Sequence, residues 1–283
     1  MSAQLLGAHM PTGKGLPSAV RAGAAIGCTA IQVFTNNPRQ WKGRDIDDVE
    51  PGLLADALAE TGMTGQIISH DTYLINLCAP DEEIRAKSQA SLTAELLRCS
   101  KLGIPFVVSH MGAHMKQGED VGIAKIAEAA NEILKETPEN VTLLMETTAG
   151  QGSSMNYRFD QIAAIIDACH GNPRLCVCLD TCHIFAAGYD IRTEETYEKT
   201  FTEFHRLVGI ERIKTIHCND SKKELGSRVD RHDNIGEGLI GPEAFKLLVN
   251  DPRFERVPIV IETPDADTMH AENLKRLLSF RTS

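Results

Sequence analysis

At 283 residues, 42% hydrophobic and 24% charged, the chain has the composition of an ordinary globular protein with a full core. Its formal net charge of −10 argues against a protein that coats nucleic acid nonspecifically, though not against an enzyme that acts on it. No stretch approaches the roughly 20 apolar residues of a bilayer span, and the start, MSAQLLGAHMPTGKG, lacks the charged and apolar regions of a secretory signal. A cytoplasmic enzyme with no membrane association is expected.

Short β-rich runs fall near residues 4–9, 29–34, 65–69, 105–109, 141–146, 175–180, 213–217 and 257–262. Most are continuously apolar rather than alternating, as parallel strands buried on both faces are. Helical periodicity lies between them: Phe159, Ile162, Ile166 and Cys169 form one stripe, and Tyr197, Phe201, Phe204 and Val208 another. Start signals agree with this phasing. Asp81 precedes Glu82-Glu83, Thr193 precedes Glu194-Glu195, and Gly241-Pro242-Glu243 places proline in a first turn. The longest irregular stretch, 218–241, follows the seventh strand. Eight βα units in a chain of this size predict an α/β fold, a single (β/α)8 TIM barrel over residues 1–283, with its active site at the C-terminal ends of the strands.

Eight cysteines (28, 78, 99, 169, 176, 178, 182 and 218) are expected as reduced thiols. Cys176, Cys178 and Cys182 lack the paired CxxC spacing of thiolate zinc sites. Alternation puts Cys176 and Cys178 on the strand face of Asp180, where thiols pack as small apolar groups.

Histidines and carboxylates collect where the strands end: His70, His110, Glu146, Asp180, His183, His217, Asp230, His232 and Glu262. The runs QIISH, FVVSH, TLLME, CVCLD, IKTIH and PIVIE each close on or just before such a residue. A lone histidine at a strand end is more often a hydrogen-bonded polar residue than a ligand, so the conjunction carries the argument. Imidazole and carboxylate together suit zinc or manganese. Nine such groups on one rim exceed what one ion needs and suit about three. A catalytic metal cluster is therefore expected.

The segments GAHMPTGKGL, IQVFTNNPRQW, SHDTYLINL, METTAGQGS, CLDTCHIFAAGYDIRT, HCNDSKKELGSRVDRHDNIGEGLIG and PIVIETP resemble the endonuclease IV family of abasic-site endonucleases, along nearly the whole chain. The resemblance implies a (β/α)8 barrel with three zinc ions, manganese being the alternative at one site. It implies that His70, His110 and Glu146 hold one ion, that Glu146 bridges to a second held with Asp180, His217 and Glu262, and that His183, Asp230 and His232 hold the third. It further implies cleavage of double-stranded DNA 5′ to an abasic site, leaving a 3′-hydroxyl and a 5′-deoxyribose phosphate, with Glu146 and Glu262 as the catalytic carboxylates. Glu262 is assigned a second duty, orienting the attacking hydroxide through its other oxygen. The chain departs from the family pattern at Met111, Ala113, Thr147 and Cys78, none of them a ligand position.

Asn36–Trp41 and Asp71–Leu74 follow the second and third strands on the same rim. An extruded abasic nucleotide leaves a gap that Arg39, Tyr73 and Leu74 could fill, and Arg231, between two ligand positions, is the better of the nearby cations for a phosphate. The bland reading is that Tyr73 and Leu74 pack the loop onto the barrel and that Arg228, Lys222 and Lys223 form a solvated face. Trp41 is expected to anchor its loop, His9 and His114 to lie near the rim, and His170, His205 and His270 to lie at the surface. A monomer is expected from a large continuous DNA contact. The rival reading is a metal-dependent sugar isomerase or epimerase of the xylose-isomerase-like barrels, which needs one or two ions.

Overall fold

In the computed structural model, which describes residues 4–282, each predicted apolar run becomes a strand of three to six residues. Met1, Ser2, Ala3 and Ser283 lie outside the described residues, and with them the extreme ends of the expected 1–283 domain and the first residues of the expected leaderless start. In chain order the strands are β1 (Leu6–His9), β2 (Ala30–Phe34), β3 (Ile67–His70), β4 (Phe106–Ser109), β5 (Thr142–Glu146), β6 (Leu175–Asp180), β7 (Ile213–His217), β8 (Asp220–Ser221), β9 (His232–Asp233) and β10 (Ile259–Ile261). All but β8 and β9 close a parallel barrel in the order β1-β10-β7-β6-β5-β4-β3-β2. Around it run α1 (Leu16–Ala25), α2 (Glu50–Thr61), α3 (Glu82–Leu102), α4 (Glu119–Glu136), α5 (Phe159–Ala168), α6 (Thr181–Ala187), α7 (Glu194–Leu207), α8 (Pro242–Asn250) and α9 (Ala266–Ser279). None is long and apolar enough to cross a membrane.

Local chemistry sets where the helices begin. Asp81 caps α3 by accepting from the amides of Glu83 and Ile84, and Thr193 forms a reciprocal capping box with Thr196 at α7. Pro242 opens α8 after Gly241, whose φ of 80° suits glycine. Both predicted stripes face inward: Phe159, Ile162, Ile166 and Cys169 are buried, as are Tyr197, Phe201, Phe204 and Val208. Each large side chain so removed from water contributes about 1.5–3 kcal/mol before entropic costs. Inside the barrel, Ile68, Val108, Leu144, Cys176, Cys178 and Val260 form their own cluster, so those two thiols are packing groups.

The stretch 218–241 is more ordered than its sequence suggests. β8 and β9 pair antiparallel, Asp220 opposite Asp233 and Ser221 opposite His232. Two-residue strands have no periodicity to read, and a single carboxylate supplies the organisation. Asp220, fully buried, accepts backbone N–H bonds from Ser221 (2.7 Å), Gly236 (2.9 Å), Gly238 (3.0 Å), Ile240 (2.9 Å) and Gly241 (3.3 Å). Replacing Asp220 with Ala leaves those donors without their acceptor. We expect a loss of about 2–4 kcal/mol of stability in denaturant unfolding, with earlier proteolysis inside 222–241; a variant within about 0.5 kcal/mol of the parent would remove Asp220 as the organiser.

Candidate metal centre

The barrel places its strand ends on one rim, so side chains far apart in sequence meet there. His70, Glu146, Asp180 and His217 are the last residues of β3, β5, β6 and β7, while His110 and Glu262 follow β4 and β10 directly. His183 is brought in by the first turn of α6, whose N-cap is Asp180: its Oδ1 accepts from the His183 amide at 2.8 Å. Asp230 and His232 arrive from the loop that Asp220 organises.

Four of the histidines have one ring nitrogen facing a neutral acceptor. His70 Nδ1 lies 3.0 Å from the Asp71 carbonyl, His183 Nδ1 2.8 Å from the Thr147 carbonyl, His232 Nδ1 3.2 Å from the Glu262 carbonyl, and His217 Nε2 2.7 Å from Gln32 Oε1. A carbonyl oxygen can only accept, so each of these nitrogens carries the hydrogen and the other nitrogen of a neutral ring is a lone pair. Those second nitrogens all face carboxylates. His70 Nε2 is 3.1 Å from Glu146 Oε2, His217 Nδ1 is 3.0 Å from Glu146 Oε1 and 3.3 Å from Glu262 Oε2, His183 Nε2 is 3.2 Å from Asp230 Oδ2, and His232 Nε2 is 3.3 Å from Asp230 Oδ1. The Nε2 atoms of His183 and His232 are buried without a hydrogen bond of acceptable geometry. His110 Nε2 completes the set at 3.0 Å from Glu146 Oε2.

Lone pairs set against carboxylates require positive charge between them. Without an ion, protons supply it. Burial opposes charge on these rings, yet Glu146 brings His70 up to about 10, Asp180 and Asp230 hold His183 well above its usual range, and Glu262 with Glu146 raises His217. Burial likewise opposes ionisation of Glu146 and Asp230, but His110 and His217 keep Glu146 well below the carboxylate range, and His183 and His232 bring Asp230 to about 2. Divalent cations would displace those protons.

The donor atoms fall into groups whose members lie within 4.8 Å of one another: His70, His110 and Glu146; Glu146, Asp180, His217 and Glu262; His183, Asp230 and His232. Each group has the imidazole and carboxylate donors that zinc accepts, so the residues fit such ions. A fourth grouping sets Cys182 beside Asp180 and His232. Burial pushes the Cys182 thiol up to about 12, which makes it a poor ligand beside a free imidazole.

Several supporting residues carry no signal at the level of motifs. Asn219 donates to Asp180 Oδ2 at 2.7 Å and accepts from the Glu262 amide at 2.7 Å, tying two ligand-bearing strands together. Thr147 accepts from the Asp180 amide through Oγ1 at 2.8 Å while its carbonyl orients His183. Gln32 is detectable as the polar residue interrupting the apolar run AIQVF. Glu262 Oε1 is engaged by Gln32 Nε2 at 2.6 Å and lies 3.3 Å from His9 Nδ1, which leaves Oε2 to face His217 Nδ1 in the cluster at 3.3 Å. His270 corrects another expectation. It is 4% exposed, because its place on α9 turns it toward the rim, where it lines the same cleft as His9 and Tyr73. Met111, one of the departures from the family pattern, is fully buried at φ 63°.

A cleft of about 330 Å³ opens over the cluster, lined in part by Phe34, Tyr73 and Thr263. Tyr73 is 66% exposed, with its ring edge-on to Phe34 at 5.5 Å. Its loop is bound to the neighbouring one, since the Tyr73 amide and Thr72 Oγ1 both donate to the Pro38 carbonyl, at 3.0 and 2.6 Å. Arg39 is exposed and Leu74 half-buried on this joined platform. Trp41 packs against the core and accepts from Ser91 through its carbonyl, as an anchor does. Arg231 is exposed between Asp230 and His232, whereas Arg228 lies over the Tyr157 ring at 4.8 Å.

Residues 20–280 match the family model of the xylose isomerase-like TIM barrel. A probable endonuclease 4 of Chloroflexus aggregans is 48% identical over 98% of this chain and 96% of its own length, and one of Geobacter sulfurreducens is 46% identical over the same shares. Among solved structures, endonuclease IV from Thermus thermophilus is 34% identical, with a TM-score of 0.86 over 97% of this chain and 98% of its own.

Proposed function

The chain belongs to the endonuclease IV family of xylose isomerase-like TIM barrels, and on that premise we propose that this endonuclease hydrolyses the phosphodiester 5′ to an abasic site in duplex DNA with the help of three zinc ions. The observation that carries the reading is the set of histidine lone pairs facing carboxylates in three groups, two of which share Glu146. His70, His110 and Glu146 would hold one ion; Glu146, Asp180, His217 and Glu262 a second; His183, Asp230 and His232 the third. When bound, such ions lower the pKa of water toward neutrality and offset charge developing on phosphate oxygens.

The chain's own residues do the rest. Glu146, with both oxygens inside the cluster, fixes the spacing of the first two groups. Glu262 presents Oε2 to the same space, and its hydroxide-orienting duty falls to that oxygen because Oε1 is held elsewhere. Arg39, Tyr73 and Leu74 enter the gap left by the extruded nucleotide, and Arg231 meets a backbone phosphate. The nucleotide's lost pairing and stacking make that extrusion cheap. The sugar isomerase or epimerase reading is set aside, since relatives sharing nearly half of the residues are named endonucleases.

Incubating the metal-replete protein with a duplex carrying one abasic site should give a single nick with a 3′-hydroxyl and a 5′-deoxyribose phosphate. An intact duplex, or an unsaturated aldehyde on the 3′ side from elimination, would overturn the reading. Elemental analysis of the fresh protein should find about three transition-metal ions per chain. Since neighbouring carboxylates raise the pKa of His70 and His183 despite burial, metal uptake at neutral pH should release protons, and affinity should fall as pH drops. One ion or fewer, with full activity after stripping, rules out the three-ion cluster.

A further inference from the structure

Barrel interiors are filled mainly by branched apolar side chains, and a primary amide buried among them is costly unless its donors and acceptor are all met. Gln32 is such an amide. It is fully buried on β2, in register with Ile68 of the interior cluster and with His9 of β1. Its Oε1 accepts from His217 at 2.7 Å, its Nε2 donates to Glu262 Oε1 at 2.6 Å, and the same nitrogen lies 3.0 Å from His9 Nδ1. The carboxylate dictates which way the amide faces: turned over, it would set its own oxygen against Glu262 Oε1. With the amide so oriented, His217 carries its hydrogen on Nε2, and Nδ1 is the lone pair facing Glu146 and Glu262.

We propose that Gln32 is a positioning residue, fixing which nitrogen of His217 and which oxygen of Glu262 face the metal cluster. The inference rests on the metal-dependent reading above, and it concerns one group only, that of Glu146, Asp180, His217 and Glu262. Neither neighbouring group touches Gln32: His183 is held by Thr147 and His70 by Asp71. Partners that orient a ligand in this way typically change metal affinity about 10- to 100-fold when removed.

Two substitutions separate positioning from packing. Gln32→Met keeps the length and removes the hydrogen bonds to His217, Glu262 and His9; Gln32→Glu keeps an acceptor for His217 but sets a second carboxylate against Glu262. Zinc affinity is read by chelator competition, the His217 tautomer by imidazole 15N shifts of the zinc-loaded protein and of the ion-free protein at alkaline pH, and stability by unfolding of the ion-free protein. In Gln32→Met, one of the three ions should weaken about 10- to 100-fold while two keep their affinity. His217 should lose its single Nε2–H tautomer, and the ion-free protein should still unfold cooperatively, less stable than the parent only by what the unpartnered His217 Nε2–H and Glu262 Oε1 cost. Gln32→Glu should restore the tautomer without restoring the affinity. The proposal is overturned if Gln32→Met keeps both the tautomer and all three affinities, or if all three ions weaken alike in a destabilised protein. Should the parent protein take up no metal, the reading of the cluster fails, and the ion-free tautomer still decides whether Gln32 holds His217.

Discussion

Glu262→Gln should lower single-turnover cleavage of an abasic duplex on the order of a thousandfold or more, about 4 kcal/mol of transition-state stabilisation, while the affinity for that duplex changes little. The substitution keeps the shape of the side chain and removes its charge. Gln32 already donates to Oε1 at 2.6 Å, so the new amide would keep its oxygen there and turn its NH2 toward the cluster. An NH2 group can neither ligate a cation nor orient a hydroxide by accepting from it. Duplex affinity should persist because it rests on the loops and on phosphate contacts. Cleavage within a few-fold of the parent would remove Glu262 from the chemistry.

The triple variant Arg39→Ala, Tyr73→Ala, Leu74→Ala should lose cleavage of the abasic duplex by about a hundredfold or more, through stacking and phosphate contacts worth about 1–3 kcal/mol each. Hydrolysis of a small activated phosphodiester should hardly change, since such an ester needs only the cluster. Folding and metal content should also hold. Tyr73 is 66% exposed, and the two bonds that tie its loop to Pro38 come from a backbone amide and from Thr72, which the substitutions leave in place. The contrast between substrates is the test. The Tyr73 ring also lies 6.1 Å from that of His70, so a packing role is a concrete competitor. Equal losses on both substrates would assign the loops to supporting the metal centre.

Much of this protein follows from its sequence alone, for a physical reason. Parallel strands buried on both faces read as unbroken apolar runs, and a barrel turns the end of every run toward one rim. The phases of the eight barrel strands and the collection of His70, His110, Glu146, Asp180, His217 and Glu262 at their ends were therefore legible residue by residue. Helix starts at Asp81, Thr193 and Pro242 were legible because capping is local chemistry.

Tertiary structure decided what depends on contacts across the barrel. Strand register, which no single run encodes, brings Gln32 between His217 and Glu262 and so selects the nitrogen and the oxygen that face the cluster. His270 is buried although the sequence places it at the surface, because α9 packs back toward the rim. Asp220 orders a stretch without periodicity through five backbone amides, four of them sixteen or more residues away. Side-chain hydrogen bonds between distant residues leave no pattern in the sequence; only the closed barrel brings their partners within reach.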